Sequence, residues 1–185
     1  MLDLLKKTRS YRRFKENVAI DESVLGSLVE AVRLSPSAGN LQRIRVAVIN
    51  DREECREVFS TLSFAAYLSD WSGPSEGQRP SAYIVLLTET ALDTNLSIDV
   101  GIAAQSILLA ASSFGLGGCF FRSFSAEKLS AVIKRNGYKP ALVIALGVPD
   151  EEIVITDVVE GDVKYYRDER DRHVVPKRQI KDIIV

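Results

Sequence analysis

The chain has 185 residues, 46% of them hydrophobic and 26% charged, with a formal net charge of −1 and a pI near 5.9. This near-neutral globular composition fits one domain spanning 1–185 with an ordinary buried core, and it argues against a general nucleic-acid binder. Two cysteines, Cys55 and Cys119, offer neither a disulfide framework nor a zinc site, and the single histidine, His173, excludes Ser-His-Asp triads, HExxH helices and facial triads.

Basic residues crowd the start: Lys6, Lys7, Arg9, Arg12, Arg13 and Lys15 are opposed only by Asp3 before Glu16. Met1–Leu5 is too short an apolar run for a targeting signal. Asp21 opens a helix to about Leu34, with Val24, Leu25, Leu28, Val29 and Val32 on one face and Pro36 closing it. Arg45–Asn50 reads as a strand, while Arg52–Leu62 and Phe64–Leu68 read as helical. Ser69–Ser81 holds Gly73, Pro74, Gly77 and Pro80, and is expected to be a mobile loop. Ala82–Thr88 is a continuous apolar run, the signature of a central strand buried on both faces.

A long helix follows from about Asn95 to Phe114, closed by Gly115 and apolar all round. Asp99 and Gln105 interrupt its longest apolar stretch, so it reads as a buried helix and not a membrane span. In so small a protein part of its cover is expected from a second subunit. Gly118–Phe124 reads as a strand, Ser125 caps a helix to about Asn136, and Ala141–Gly147 is another buried strand. Asp150–Glu152 reads as a solvated acidic turn, and Lys164–Arg172, alternating in charge sign, as a solvated arm or hairpin. Strand-like pieces at Ile153–Ile155 and Val174–Val175 and a helical turn near Gln179–Ile184 complete the chain. His173, flanked by charge, is expected at the surface. The alternation of strands and helices predicts an α+β fold, an α/β/α sandwich with a central mixed sheet flanked by helices.

Three segments carry polar residues that folding alone explains poorly. Arg9-Ser10-Tyr11-Arg12-Arg13-Phe14 offers forked donors and a hydroxyl suited to phosphate, or else a solvated basic face. Pro36-Ser37-Ala38-Gly39-Asn40-Leu41-Gln42 joins small residues, which let backbone approach a ligand, to two amides that suit a planar heterocycle; alternatively the amides satisfy their own turn. Gly115-Leu116-Gly117-Gly118-Cys119 leads from a helix into a strand, the reverse of a Rossmann fingerprint, and without the Lys-Ser/Thr of a P-loop. Its plain reading is a helix stop.

Together the three resemble the nitroreductase family, whose motifs Arg-Ser-x-Arg-x-Phe, Pro-Ser-Ser-x-Asn-x-Gln-Pro and Gly-Leu-Gly-x-Cys match in order along nearly the whole chain. The chain departs from the second motif at Ala38, and at Arg43 where proline is usual. Val175-Pro176-Lys177-Arg178 resembles the family's closing phosphate-contacting segment. The resemblance implies a nitroreductase-like fold, an intertwined homodimer with the 150–185 arm packed on the partner, and FMN as cofactor with NADH or NADPH as electron donor.

By the same resemblance, Arg9, Ser10 and Arg12 would hold the FMN phosphate and ribityl chain, Arg12 reaching towards the N1–O2 edge of the ring. Lys177 and Arg178 would complete the phosphate site. Ser37, Ala38, Gly39, Asn40 and Gln42 would meet the flavin of the partner subunit. Arg122 and Ser123 fall where the family contacts flavin N5. No side chain is assigned as catalytic, since flavin N5 carries the chemistry. Trp71 would cover the flavin or pack on the partner. The implied activity is reduction of a nitroaromatic, quinone or related small electron-poor acceptor in the cytoplasm, without nucleic acid or membrane as partner. Alternatives are specialised, dehalogenase-like flavin chemistry on the same fold, or a flavin carrier or sensor without turnover.

Overall fold

The computed structural model describes residues 1–64, 67–68 and 71–185. Its centre is a four-stranded sheet in the order β1 (Ile44–Ile49), β2 (Ala82–Thr88), β4 (Lys139–Gly147), β3 (Gly117–Phe121), every pair antiparallel. The mixed character expected of the sheet enters at its β3 edge, where Ser10 forms a parallel bridge to Gly118. A smaller sheet, β5 (Ile153–Asp157), β7 (His173–Lys177) and β6 (Tyr166–Arg167), pairs β5 with β7 in parallel and β6 with β7 antiparallel.

Strand alternation divides the core. Ala82, Ile84 and Leu86 of β2 join Leu142, Ile144 and Leu146 of β4 on the face covered by α2 (Glu22–Leu34) and α4 (Thr94–Ser113). Tyr83, Val85 and Leu87 join Val143 and Ala145 on the opposite face, under α3 (Arg52–Ser60) and α5 (Ala126–Ile133). All seven residues of β2 are buried, so an apolar run with no polar face is what this position demands. Each fully buried Leu or Ile contributes about 2 kcal/mol of transfer free energy. The result is the expected α/β/α sandwich.

Boundaries shift by a few residues, one helix forms that the sequence did not signal, and part of a loop expected to be mobile is tied down. A short helix α1 (Leu2–Lys7) forms at the start, with Asp3 in its first turn and Lys6 and Lys7 in its last, where each complements the helix dipole. β3 ends at Phe121, because Leu62 bridges to Phe124 and closes that end; α5 stops at Ile133, where Lys134 turns left-handed. Of the segments read as helix Phe64–Leu68 and loop Ser69–Ser81, residues 65, 66, 69 and 70 lie outside the described residues. The later part of that loop is tied down: Glu16 Oε2 accepts from the Gly77 N–H at 2.5 Å, and Phe14 N–H donates to the Gln78 carbonyl at 3.0 Å.

The long helix α4 is long and apolar enough to cross a membrane by composition. Leu96, Val100, Ala103, Ala104, Ile107, Leu108 and Ala111 bury one side of it against the sheet and α2. The other side is left uncovered by the described residues. Ile98 is 56% exposed, and Ile102, Gln105 and Leu109, at helical spacing from it, are only partly buried.

Candidate cofactor site

The glycine-rich turn decides where the basic start of the chain goes. Gly115, at φ +74°, stops α4. Gly117 and Gly118 do something else: they leave room. A Cβ on Gly117 would lie 2.5 Å from Tyr11 Cδ2 and 2.8 Å from Pro149 Cγ, and one on Gly118 would lie 2.7 Å from the Ala145 carbonyl oxygen. With no Cβ there, the Arg9–Phe14 segment lies flat on the edge of β3, held by the Ser10–Gly118 bridge and by Tyr11 N–H on the Gly118 carbonyl at 3.0 Å. Phe14 is fully buried and bridges to Pro149.

The small sheet then closes on this segment. Glu151, read from sequence as part of a solvated turn, has a side chain only 1% exposed. One of its oxygens accepts from the backbone N–H of Arg12 and of Arg13 (the latter at 3.1 Å), and the other accepts from Arg167 at 2.6 Å. A carboxylate that satisfies two backbone donors and one guanidinium staples the first and last parts of the chain together. The arm read as solvated is therefore partly inside: Arg167 binds Glu151, and Arg13 pairs with Asp171. Trp71 stands beside Arg13 and Arg167, with ring centroid distances of 5.9 and 5.5 Å, and packs edge-on against Phe64.

The product is a cleft of about 490 Å³. Arg9, Ser10 and Arg12 from the start of the chain line it with Lys177 and Arg178 from the end; Gln105 of α4, Phe120, Tyr165 and His173 contribute the remaining walls. Among the described residues, four full cations line it and no carboxylate does. Arg12 donates to the Ser10 carbonyl at 3.2 Å, lies 4.6 Å over the Tyr165 ring, and points Nη1 at His173 Nε2 at 3.3 Å. Arginine has no acceptor, so this contact requires a lone pair on Nε2 and places the imidazole proton on Nδ1.

His173 is thus not the surface residue its charged neighbours suggested; it is 1% exposed. Burial first, and then the Arg12 guanidinium, push its pKa down to about 4, so the ring is neutral near pH 7. The signal for it was present in the sequence: His173, Val175 and Lys177 alternate along β7, and all three face the cleft.

Arg122 and Ser123 sit just beyond β3 in a shallower hollow of about 220 Å³ that shares Arg12, Phe120 and Tyr165 with the main cleft. They adjoin it directly. The Ser37–Gln42 group does not. It forms a tight turn after α2, with Gly39, Asn40 and Gln42 at φ +59°, +53° and +49°. Ser37 and Gln42 line a different cleft of about 500 Å³ between α2, β1 and α4. Gln42 Nε2 donates to the Asn40 carbonyl and side-chain oxygens at 3.3 Å, so the amides do serve their own turn.

Two acids anchor this turn from α4. Asp99, 2% exposed, accepts the Ala38 N–H at 2.9 Å. Asp93 caps α4 at the Leu96 N–H and pairs with Arg43 at 2.6 Å, which holds its pKa down at about 2. Arg43, the residue that replaces the family's usual proline, therefore fastens the turn to α4 by an ion pair. Among the residues the sequence reading missed, Glu151 and Tyr165 gave no local signal, because only the closed fold brings them to the N-terminal segment.

The family model for the nitroreductase family matches residues 5–78 and 77–148. The chain belongs to the nitroreductase family. A protein of Archaeoglobus fulgidus provisionally named NADH dehydrogenase/NAD(P)H nitroreductase is 27% identical over 174 residues, covering 92% of this chain and 87% of its own length. A like-named protein of Methanothermobacter thermautotrophicus is 26% identical over 170 residues, covering 88% and 84%. Among solved structures, an FMN-dependent nitroreductase of Clostridium difficile superposes with a TM-score of 0.66 at 25% identity, over 82% of this chain and 89% of that one. A nitroreductase family protein of Streptococcus pneumoniae, 18% identical, gives 0.69 over 85% and 94%, a likeness of fold.

Proposed function

We propose that this nitroreductase-family protein is a cytoplasmic FMN-dependent oxidoreductase that takes electrons from NAD(P)H and passes them to a nitroaromatic, quinone or related small electron-poor acceptor. One observation carries the reading: residues from opposite ends of the chain converge on a single cleft lined by Arg9, Arg12, Lys177 and Arg178 and, among the described residues, by no carboxylate. That donor set suits a phosphomonoester, and the volume falls within the range of small-molecule and cofactor sites. FMN supplies reversible hydride transfer when bound; the protein contributes binding, orientation and electrostatics.

Arg9, Ser10, Lys177 and Arg178 hold the phosphate. Arg12, fixed by the Ser10 carbonyl, His173 and the Tyr165 face, is a pre-positioned cation that favours the more negative, reduced state of the cofactor. No acid or base side chain is required. Ser37, Ala38, Gly39, Asn40 and Gln42 complete the site of a second copy of the chain, whose uncovered α4 stripe at Ile98, Ile102 and Leu109 meets its counterpart; residues 150–185 pack on that partner. Arg122 and Ser123 border the ring.

The purified protein is expected to be yellow, to bleach anaerobically with NADH or NADPH, and to regain colour with a nitroaromatic or quinone. A protein that binds FMN but bleaches with neither nucleotide is a carrier or sensor. One that refuses FMN altogether sinks the reading. Arg12→Ala should lower the flavin midpoint potential in protein that still binds FMN, and an unchanged potential removes Arg12 from that role.

A further inference from the structure

A second polar cleft lies on the other side of the sheet, where β1 ends and β2 begins. Glu16, Asn17, Asn50, Arg52, Arg56, Phe59, Arg79 and Ser81 line its volume of about 240 Å³, and it shares no lining residue with the cofactor cleft. In the sheet order β1-β2-β4-β3 this end belongs to β1 and β2, whereas the cofactor cleft adjoins β3.

Its chemistry is unbalanced. Three guanidiniums face one carboxylate, and Glu16 already spends Oε2 on the N–H groups of Gly77 and Arg79 at 2.5 and 3.4 Å. Arg56 pairs with Glu53 at 2.6 Å, but among the described residues Arg52 and Arg79 have no carboxylate partner. Arg79 is held in place by lying 4.6 Å over the Phe59 ring.

The floor carries polar atoms that the described residues leave unanswered. Arg79 Nε and Ser81 Oγ of the lining, and Tyr83 Oη of the adjoining strand β2, are buried without a hydrogen-bond partner among the described residues. Tyr83 is fully buried, and burial first, then its neighbours Cys55 and Glu16 of this cleft, push its pKa up. Buried polar groups are almost always satisfied, so the two orphans of the lining, Arg79 Nε and Ser81 Oγ, call for an occupant.

We propose that this cleft is a second ligand site, taking a small oxyanion (a carboxylate or phosphate group) between the forked donors of Arg79, the Arg52 guanidinium and the Ser81 hydroxyl. The Nε and Nη hydrogens of an arginine match two oxygens of such a group at once. This assignment is independent of the cofactor reading, because it uses none of the same residues.

Calorimetric titration of the FMN-loaded protein with inorganic phosphate and, separately, with malonate at constant ionic strength tests it. One of the two should bind saturably at one per chain, and the tighter identifies the class. Arg79→Gln or Arg52→Gln should weaken that binding by about tenfold; Arg52 is exposed, so its variant remains informative where Arg79→Gln fails to fold. Arg178→Gln, in the cofactor cleft, should leave it unaltered, which keeps the answer separate from whether FMN binds. No saturable binding of either probe into the tens of millimolar, or affinities within about threefold of the wild type in Arg52→Gln and in any folded Arg79→Gln, overturns the assignment.

Discussion

Two regions of this molecule carry the family's polar motifs, and they behave differently. The Arg9–Arg12 segment and the Lys177–Arg178 segment are more than 160 residues apart, yet the single chain folds them into one cleft. The Ser37–Gln42 turn, only some 30 residues from Arg12, opens into another cleft. The first region is completed by intrachain packing, through small residues at β3 and one buried carboxylate. The second has its amides folded back on its own turn, beside a helix stripe that the described residues leave uncovered. The lesson is that one half of the proposed site is assembled within a single chain, while the other half lies in a separate cleft and joins it only if, as proposed, a second copy supplies it.

The largest effect should come from the intrachain half. Gly118→Val would drive its side chain into the Ala145 carbonyl and Leu108, costing about 3 kcal/mol of stability and releasing the Arg9–Phe14 segment. Chemical denaturation and FMN titration should show both losses together; a stable variant with wild-type FMN affinity would break the account of the glycine turn.

Complementation tests the other half. Co-expressed chains, one bearing Arg9→Ala with Arg178→Ala and the other Asn40→Ala with Gln42→Ala, should form mixed dimers holding one FMN, while each doubly altered chain alone holds none. Flavin-to-protein stoichiometry in the separated mixed dimer is the measurement. Absence of FMN from that species would place the turn outside the partner's site. Ile98→Glu, on the exposed α4 stripe, should leave the fold within about 0.5 kcal/mol but shift the protein to monomer in sedimentation. A variant that remains dimeric would move the interface elsewhere.

The intrachain cleft also carries its own pH signature. The folded pKa of His173, about 4, lies below the unfolded value near 6.5. The unfolded chain therefore binds the extra proton first, and stability is present above pH 6.5 and lost as pH falls towards 4. Between pH 6.5 and 4.5 the loss is about 2 kcal/mol, and denaturation of His173→Phe across that window should show a shallower decline than the wild type. The smallest effect belongs to the turn: Gln42→Gly relieves a left-handed side chain, offset in part by glycine entropy. It should stabilise the fold by about 0.5 kcal/mol while weakening FMN binding, a separation readable from denaturation and titration on one sample.

Much of the fold was legible beforehand. The uninterrupted apolar run at β2, the periodicity of α2 and the length of α4 reported burial on both faces of a sheet, because strand and helix periods are local properties. His173 misled because its neighbours in sequence are charged, and exposure depends on neighbours in space; the alternation of His173, Val175 and Lys177 pointed the right way. Glu151 misled for the same reason, since nothing in Asp150-Glu151-Glu152 shows that two backbone amides and Arg167 will surround the middle residue.

By itself the sequence determined most of the secondary elements, the two-faced core and a set of forked and cationic donors of the types that suit a phosphate, since these follow from residue period and side-chain chemistry. Only the tertiary structure decided that Arg9, Arg12, Lys177 and Arg178 share a cleft while Gln42 does not, and that His173 lies inside it. That choice rests on non-local sterics and charge: Gly117 and Gly118 leave the space for a second segment to lie on β3, and Glu151 satisfies the amides that hold it there.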